Sequence, residues 1–133
     1  MLTFTQIKQL SKYMNCKPSE LNLEDFDFYD YYDANITAKE YIQDYIGTFN
    51  PKFISRCTNI AEDIIKDMQR SSDFYNDCSI ALSYLIEATC GWDKFVKDAL
   101  IVNGRGYFLS PYDGQEIELI SSNGNIIYAY RNN

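Results

Sequence analysis

The spacing of apolar residues changes once along this chain, near Asn103, and that change limits the fold more than any other feature. Before it they recur every three or four positions, as on helices; after it they alternate, as on strands. Ile7, Leu10 and Met14 predict a first helix from about Thr5 to Met14, with Thr3 or Thr5 as cap. Thr37-Ala38-Lys39-Glu40 has the form of a capping box, with Ile36 and Tyr41 placed as a hydrophobic staple, and predicts a helix from there to about Gly47. Asn50-Pro51 offers an N-cap followed by proline at the first helical position and predicts a short helix to Arg56. Asn59 caps a further expected helix to about Gln69, with Ile60, Ile64 or Ile65 and Met68 facing the core. Ser71 or Ser72 should open a long one to about Ala88, with Phe74, Cys78, Ala81, Leu82 and Leu85 as its apolar stripe. Gly91 stops it, and Trp92 to Ile101 follows, burying Trp92, Phe95, Val96 and Leu100.

Past Asn103, Tyr107–Leu109, Glu116–Ile120 and Ile126–Tyr130 read as three short strands, joined by the turn dipeptides Asp113-Gly114 and Asn123-Gly124. The expected fold is α+β: one domain over residues 1–133, with helices across about 5–101 packed on a three-stranded antiparallel meander at about 105–131. A chain of 133 residues buries roughly two thirds of its unfolded surface without cross-links. Cys16, Cys57, Cys78 and Cys90 are scattered, so they read as free buried thiols rather than a zinc site. The N-terminal residues do not form a signal sequence, and no apolar run is long enough to span a membrane, which predicts a cytoplasmic protein.

Charge is distributed very unevenly. Between Pro18 and Pro51 there are eight acids (Glu20, Glu24, Asp25, Asp27, Asp30, Asp33, Glu40, Asp44) and one base, Lys39, which account for the net charge of −7; elsewhere 11 acids balance 11 bases. Within that window, Glu24-Asp25-Phe26-Asp27-Phe28-Tyr29-Asp30-Tyr31-Tyr32-Asp33 interleaves carboxylates with aromatic rings and contains no cation. As a strand the run does not alternate cleanly over its length, and as a helix its rings fall all round the axis, so an irregular segment or short helix is expected. A field of one sign bears on partners rather than on fold. Carboxylates here could stand where phosphates stand in duplex DNA, which carries about one charge per 1.7 Å of axis, while tyrosines add rigid contact area. The plainer reading is a solvated face whose rings serve the core.

The chain has no histidine, which excludes His-dependent triad hydrolases and His-liganded zinc hydrolases but leaves carboxylate chemistry open. Gly104-Arg105-Gly106 could hold an anion or phosphate, with Arg105 as a bidentate fork, although its spacing matches neither a Walker A loop nor a dinucleotide fingerprint. The alternative is a turn whose arginine pairs with Glu116 or Glu118. Asp113, Glu116 and Glu118 as a magnesium cluster is less economical than a turn followed by a solvent-facing strand edge. Tyr128, Tyr130 and Arg131 read as a final strand with both rings on one face.

The stretch Asn103-Gly104-Arg105-Gly106-Tyr107-Phe108-Leu109-Ser110-Pro111-Tyr112-Asp113-Gly114-Gln115-Glu116, with the ending Ile127-Tyr128-Ala129-Tyr130-Arg131-Asn132, resembles a family of small phage and plasmid proteins. Those proteins carry a Gly-Arg-Gly-x-Phe-Leu-Ser-x-Tyr-Asp-Gly block and a Tyr-x-Tyr-Arg ending. Residues 41–54 resemble the same family's helix and following turn, except that Gly47-Thr48 replaces its Trp-Ala; Tyr107 stands where it commonly has histidine. The resemblance implies a mobile-element setting, where small acidic accessory proteins act against restriction or CRISPR defence.

Together these readings predict a non-enzymatic protein that binds a basic host protein, a nucleic-acid-targeting defence complex in a bacterial cytoplasm, by nucleic-acid mimicry. The binding residues would be Glu24, Asp25, Asp27, Tyr29, Asp30, Tyr31, Tyr32 and Asp33, with no direct contact to nucleic acid or membrane. No catalytic residue, cofactor or metal is nominated. The alternatives are a carboxylate and arginine enzyme or small-anion binder at Gly104, Arg105 and Gly106, and a structural or assembly protein of the element.

Overall fold

The computed structural model describes residues 1–70 and 77–133. Among these the fold is α+β with a three-stranded antiparallel sheet. The chain divides into two compact units, residues 1–38 with 103–133, and residues 39–102.

In the first unit, α1 (Phe4–Tyr13) starts with a capping box in which Thr3 and Gln6 bond reciprocally. The sheet comprises β1 (Phe26–Tyr29), β2 (Ile117–Ile120) and β3 (Ile126–Arg131) in the order β1-β3-β2. One face packs against α1: Leu10, Phe26, Ile117, Leu119 and Ala129 are buried together, with Leu2, Met14, Leu21 and Phe28 packed against them. Burying a leucine as fully as Leu10 stabilises by about 2–3 kcal/mol. The opposite face carries Tyr128 and Tyr130, both buried, so β3 is covered on both sides.

The sheet's membership differs from expectation. Residues 105–109 form a short helix, α7 (Arg105–Leu109), rather than a strand. A Cβ on Gly106 would lie 2.5 Å from the Gly114 carbonyl oxygen, so this helix sits directly on the following loop. The third strand is β1, within the acidic run, paired to β3 in the register Phe26↔Arg131 to Tyr29↔Tyr128. The Asn123-Gly124 turn does join β2 to β3, with Ser121 N–H bonding the Asn125 carbonyl at 2.8 Å.

Helix α2 (Tyr31–Asp44) begins six residues before the expected Thr37. Asp30 caps it: its Oδ1 accepts the Asp33 amide at 2.7 Å and its carbonyl accepts the Ala34 amide. Thr37 lies inside the helix, its hydroxyl donating to the Asp33 carbonyl. The earlier start adds helical hydrogen bonds and places Ala34, Ala38 and Ile42, all fully buried, at four-residue spacing on one side.

In the second unit, Asn50 caps α3 (Pro51–Thr58) as the sequence indicates, accepting the Lys52 amide at 2.9 Å. Asn59 does not open the next helix; it ends α3 in the left-handed conformation, φ 62°. Helix α4 runs Glu62–Arg70, with Ile65 its buried residue. The described part of α5 is Asp77–Thr89, where Leu82 and Ile86 are buried while Ala81 is exposed. The expected opening at Ser71 or Ser72, with Phe74 and the Cys78 side chain, lies outside the described residues. Helix α6 spans Trp92–Asn103 after Gly91. Phe95 centres an aromatic cluster with Phe49, Phe53 and Trp92, at ring separations of 5.6, 5.2 and 5.5 Å. Phe95, Val96 and Ala99 are buried, whereas Trp92 and Leu100 are half-buried at the rim. Cys16, Cys57 and Cys90 are free thiols, half-buried rather than buried. Among the described residues no helix is long and apolar enough to cross a membrane.

Candidate functional site

The acidic aromatic run is an ordered segment built from three short pieces. Asn22 accepts the Glu24 amide and starts a single 3-10 turn, Leu23–Asp25, whose Leu23 carbonyl takes the Phe26 amide. The chain then extends into β1, and the Asn132 amide donates to the Asp25 carbonyl at 2.8 Å, lengthening the ladder with β3. Asp30 closes the strand and caps α2, near the positive end of its dipole.

Three of the run's five carboxylates, those of Asp25, Asp27 and Asp30, accept hydrogen bonds from neutral amides. Asp27 accepts the Asn132 side-chain amide at 3.0 Å, and Asp25 accepts those of Asn22 and Asn133 at 3.4 and 3.2 Å. Among the described residues none of the five forms an ion pair. Glu24, Asp30 and Asp33 are exposed, and beside them Tyr31 and Tyr32 are 63% and 71% accessible. Tyr29 is half-buried against Tyr130, at a ring separation of 5.9 Å. Burial, with the neighbouring Asp27 charge adding to it, holds the Tyr29 phenol above its ordinary pKa.

The Gly104-Arg105-Gly106 stretch meets the same cluster. Gly104 precedes α7 with φ +80°, and Gly106 provides the close approach to the Gly114 loop described above. Arg105 is thereby aimed across the tyrosine face of the sheet. Its guanidinium carbon lies 4.4 Å from the Tyr128 ring centre and 5.0 Å from that of Tyr31. Its Nε donates to Glu116 at 2.8 Å and Nη1 to Asn35 at 3.1 Å. The side chain is only 12% exposed. The Glu116 carboxylate also accepts a hydrogen bond from the Tyr130 hydroxyl. Burial and that bond raise the Tyr130 pKa well above its usual value. Arg105 thus takes the Glu116 partner that the sequence offers it.

Asp113, Glu116 and Glu118, the less economical magnesium set, do not converge among the described residues. Asp113 accepts the Ser110 hydroxyl and the Gln115 amide within its own turn, Glu116 serves Arg105 and Tyr130, and Glu118 is an exposed residue of β2. Two features far apart in sequence do meet: the end of the acidic run, through Tyr31, and the arginine block, through Arg105, share the Tyr128 ring. Sequence reading missed Asn35, Asn132 and Asn133 as partners. Asparagine amides carry no periodic signal, and the last two gain their role only from the β1–β3 register. Comparison with family models, curated proteins and solved structures finds no match to this chain.

Proposed function

We propose that this protein is a non-enzymatic binder that uses the acidic aromatic segment, residues 24–33, to dock on a basic protein surface. The observation that carries the reading is a set of five carboxylates on a folded frame, none of them in an ion pair among the described residues, flanked by the exposed rings of Tyr31 and Tyr32. Asparagine amides and helix capping fix Asp25, Asp27 and Asp30 in place without neutralising them. Their field is therefore available to a partner, and the rings add contact area at small entropic cost. A surface of this kind repels nucleic acid and suits proteins that bind it. With the resemblance to mobile-element proteins, the partner class is a nucleic-acid-targeting defence complex of a bacterial host, blocked by steric and electrostatic occlusion of its basic groove. Arg105 gives Nε to Glu116 and Nη1 to Asn35 and lies against the Tyr31 and Tyr128 rings, which supports a structural role for it.

The test is capture from bacterial lysate on immobilised protein, comparing the native chain with Asp25→Asn, Asp27→Asn, Asp30→Asn and Asp33→Asn combined. Asparagine keeps each oxygen acceptor, including the α2 cap, and removes only charge. Retention of a nucleic-acid-binding protein by the native chain alone, with release by salt and by duplex DNA, is the expected result. Equal retention by both chains would refute the reading.

A further inference from the structure

The two outer edges of the sheet differ at one position: β2 is clasped by a side chain at Ile120, though among the described residues the outward amide and carbonyl of Glu118 take no partner. The outer edge of β2 is closed at Ile120 by Gln9 of α1, whose side chain accepts the Ile120 amide at 2.7 Å and donates to the Ile120 carbonyl at 2.6 Å. Among the described residues the outer edge of β1 has no such side-chain clasp. The Asn132 to Asp25 bond makes Asp25, Asp27 and Tyr29 the residues that bond toward β3, since hydrogen-bonded and non-bonded pairs alternate along an antiparallel ladder. Phe26 and Phe28 therefore turn their backbone groups outward. The Phe26 amide is used by the preceding turn, but the Phe26 carbonyl and both the amide and carbonyl of Phe28 take no partner among the described residues. Such an edge is a template for another strand.

Side-chain alternation says what kind. Asp25, Asp27 and Tyr29 lie on the tyrosine face of the sheet, while Phe26 and Phe28 lie on the face packed with Leu10. We propose that β1 receives an extended segment of the basic partner as a fourth strand, with basic residues beside Asp25 and Asp27 and apolar residues beside Phe26 and Phe28. This rests on the acidic-face reading and specifies how the partner is gripped: main-chain hydrogen bonds supply affinity, and the alternation supplies selectivity. A second copy of this chain is the wrong occupant, because pairing two β1 edges sets aspartates against aspartates, and like charges across a pair destabilise it.

The probes are three fluorescent octapeptides binding the native protein at low salt: alternating Lys and Val, the same residues as a Lys block followed by a Val block, and the alternating peptide with every backbone amide N-methylated. The alternating peptide is expected to bind and to slow exchange of the Phe28 amide. Both controls should bind about tenfold or more weakly, the effect of losing two or three main-chain hydrogen bonds or their register. Equal, salt-sensitive binding of all three would overturn strand addition and leave the acidic-face reading intact. Binding by none would also overturn it, and the lysate capture above would then decide the acidic-face reading independently.

Discussion

Replacing Arg105 by alanine should destabilise the sheet unit by about 3 kcal/mol. The charge-assisted bond to Glu116 contributes about 1 kcal/mol, at the lower end for such bonds because Glu116 is 30% exposed and solvent screens the pair. Stacking on Tyr31 and Tyr128 adds about 0.5–1 kcal/mol for each ring. The buried stem and the bond to Asn35 account for roughly another 1 kcal/mol. Arg105→Lys keeps the charge but loses the flat stack and the fork, and should cost about half as much. Urea unfolding followed by far-UV circular dichroism measures the total, and exchange of the Tyr128 and Tyr130 amides places the loss in this sheet. Trp92 emission reports the helical unit instead. A midpoint lowered by ~10 °C in a thermal scan corresponds to the same energy for a chain of this size. If Arg105→Ala stays within about 0.5 kcal/mol of the native protein, the cluster is not structural and the guanidinium is free for a ligand.

Asp30→Ala removes the α2 cap and should cost about 1 kcal/mol, whereas Thr37→Ala should cost less than about 0.5 kcal/mol, as expected for a residue inside the helix; the reverse order would move the helix start back to Thr37. Gly106→Ala drives a methyl onto the Gly114 carbonyl and should cost about 1–3 kcal/mol in a urea midpoint; a neutral outcome would mean that α7 is not held against that loop. Tyr130 has a folded-state pKa raised above its unfolded value, so its contribution is complete below about pH 10 and is lost as pH rises beyond that. Stability of the native chain should fall more steeply above pH 10 than that of Tyr130→Phe, and parallel curves would refute the assignment.

The parts of this fold that were legible from sequence are those fixed by neighbours in the chain. Asn50-Pro51 starts a helix and Asn123-Gly124 turns a hairpin because local geometry alone decides both. The Arg105 to Glu116 pairing follows from there being few carboxylates close by. Errors arose where two local signals competed or a distant partner decided. Thr37 and Asp30 each satisfy the chemistry of a cap, and the longer helix with its Ala34, Ala38 and Ile42 stripe prevails. Phe26-Asp27-Phe28-Tyr29 alternates over only four residues, and its strand depends on β3, about a hundred positions later. Residues 107–109 look like a strand, yet the contact of Gly106 with the Gly114 loop holds them in a helical turn. Of the candidate site, the carboxylates were visible from sequence, but the amides that hold Asp25 and Asp27 and the open β1 edge appear only once the sheet is assembled.

The most direct measurement is the association rate of a captured partner across a range of ionic strength, for the native chain and for the variant with Asp25, Asp27, Asp30 and Asp33 changed to asparagine. Docking through the acidic segment predicts a fast native rate that falls steeply with salt, and a slower, nearly salt-independent rate for the variant. Identical rates and slopes for the two chains would contradict it.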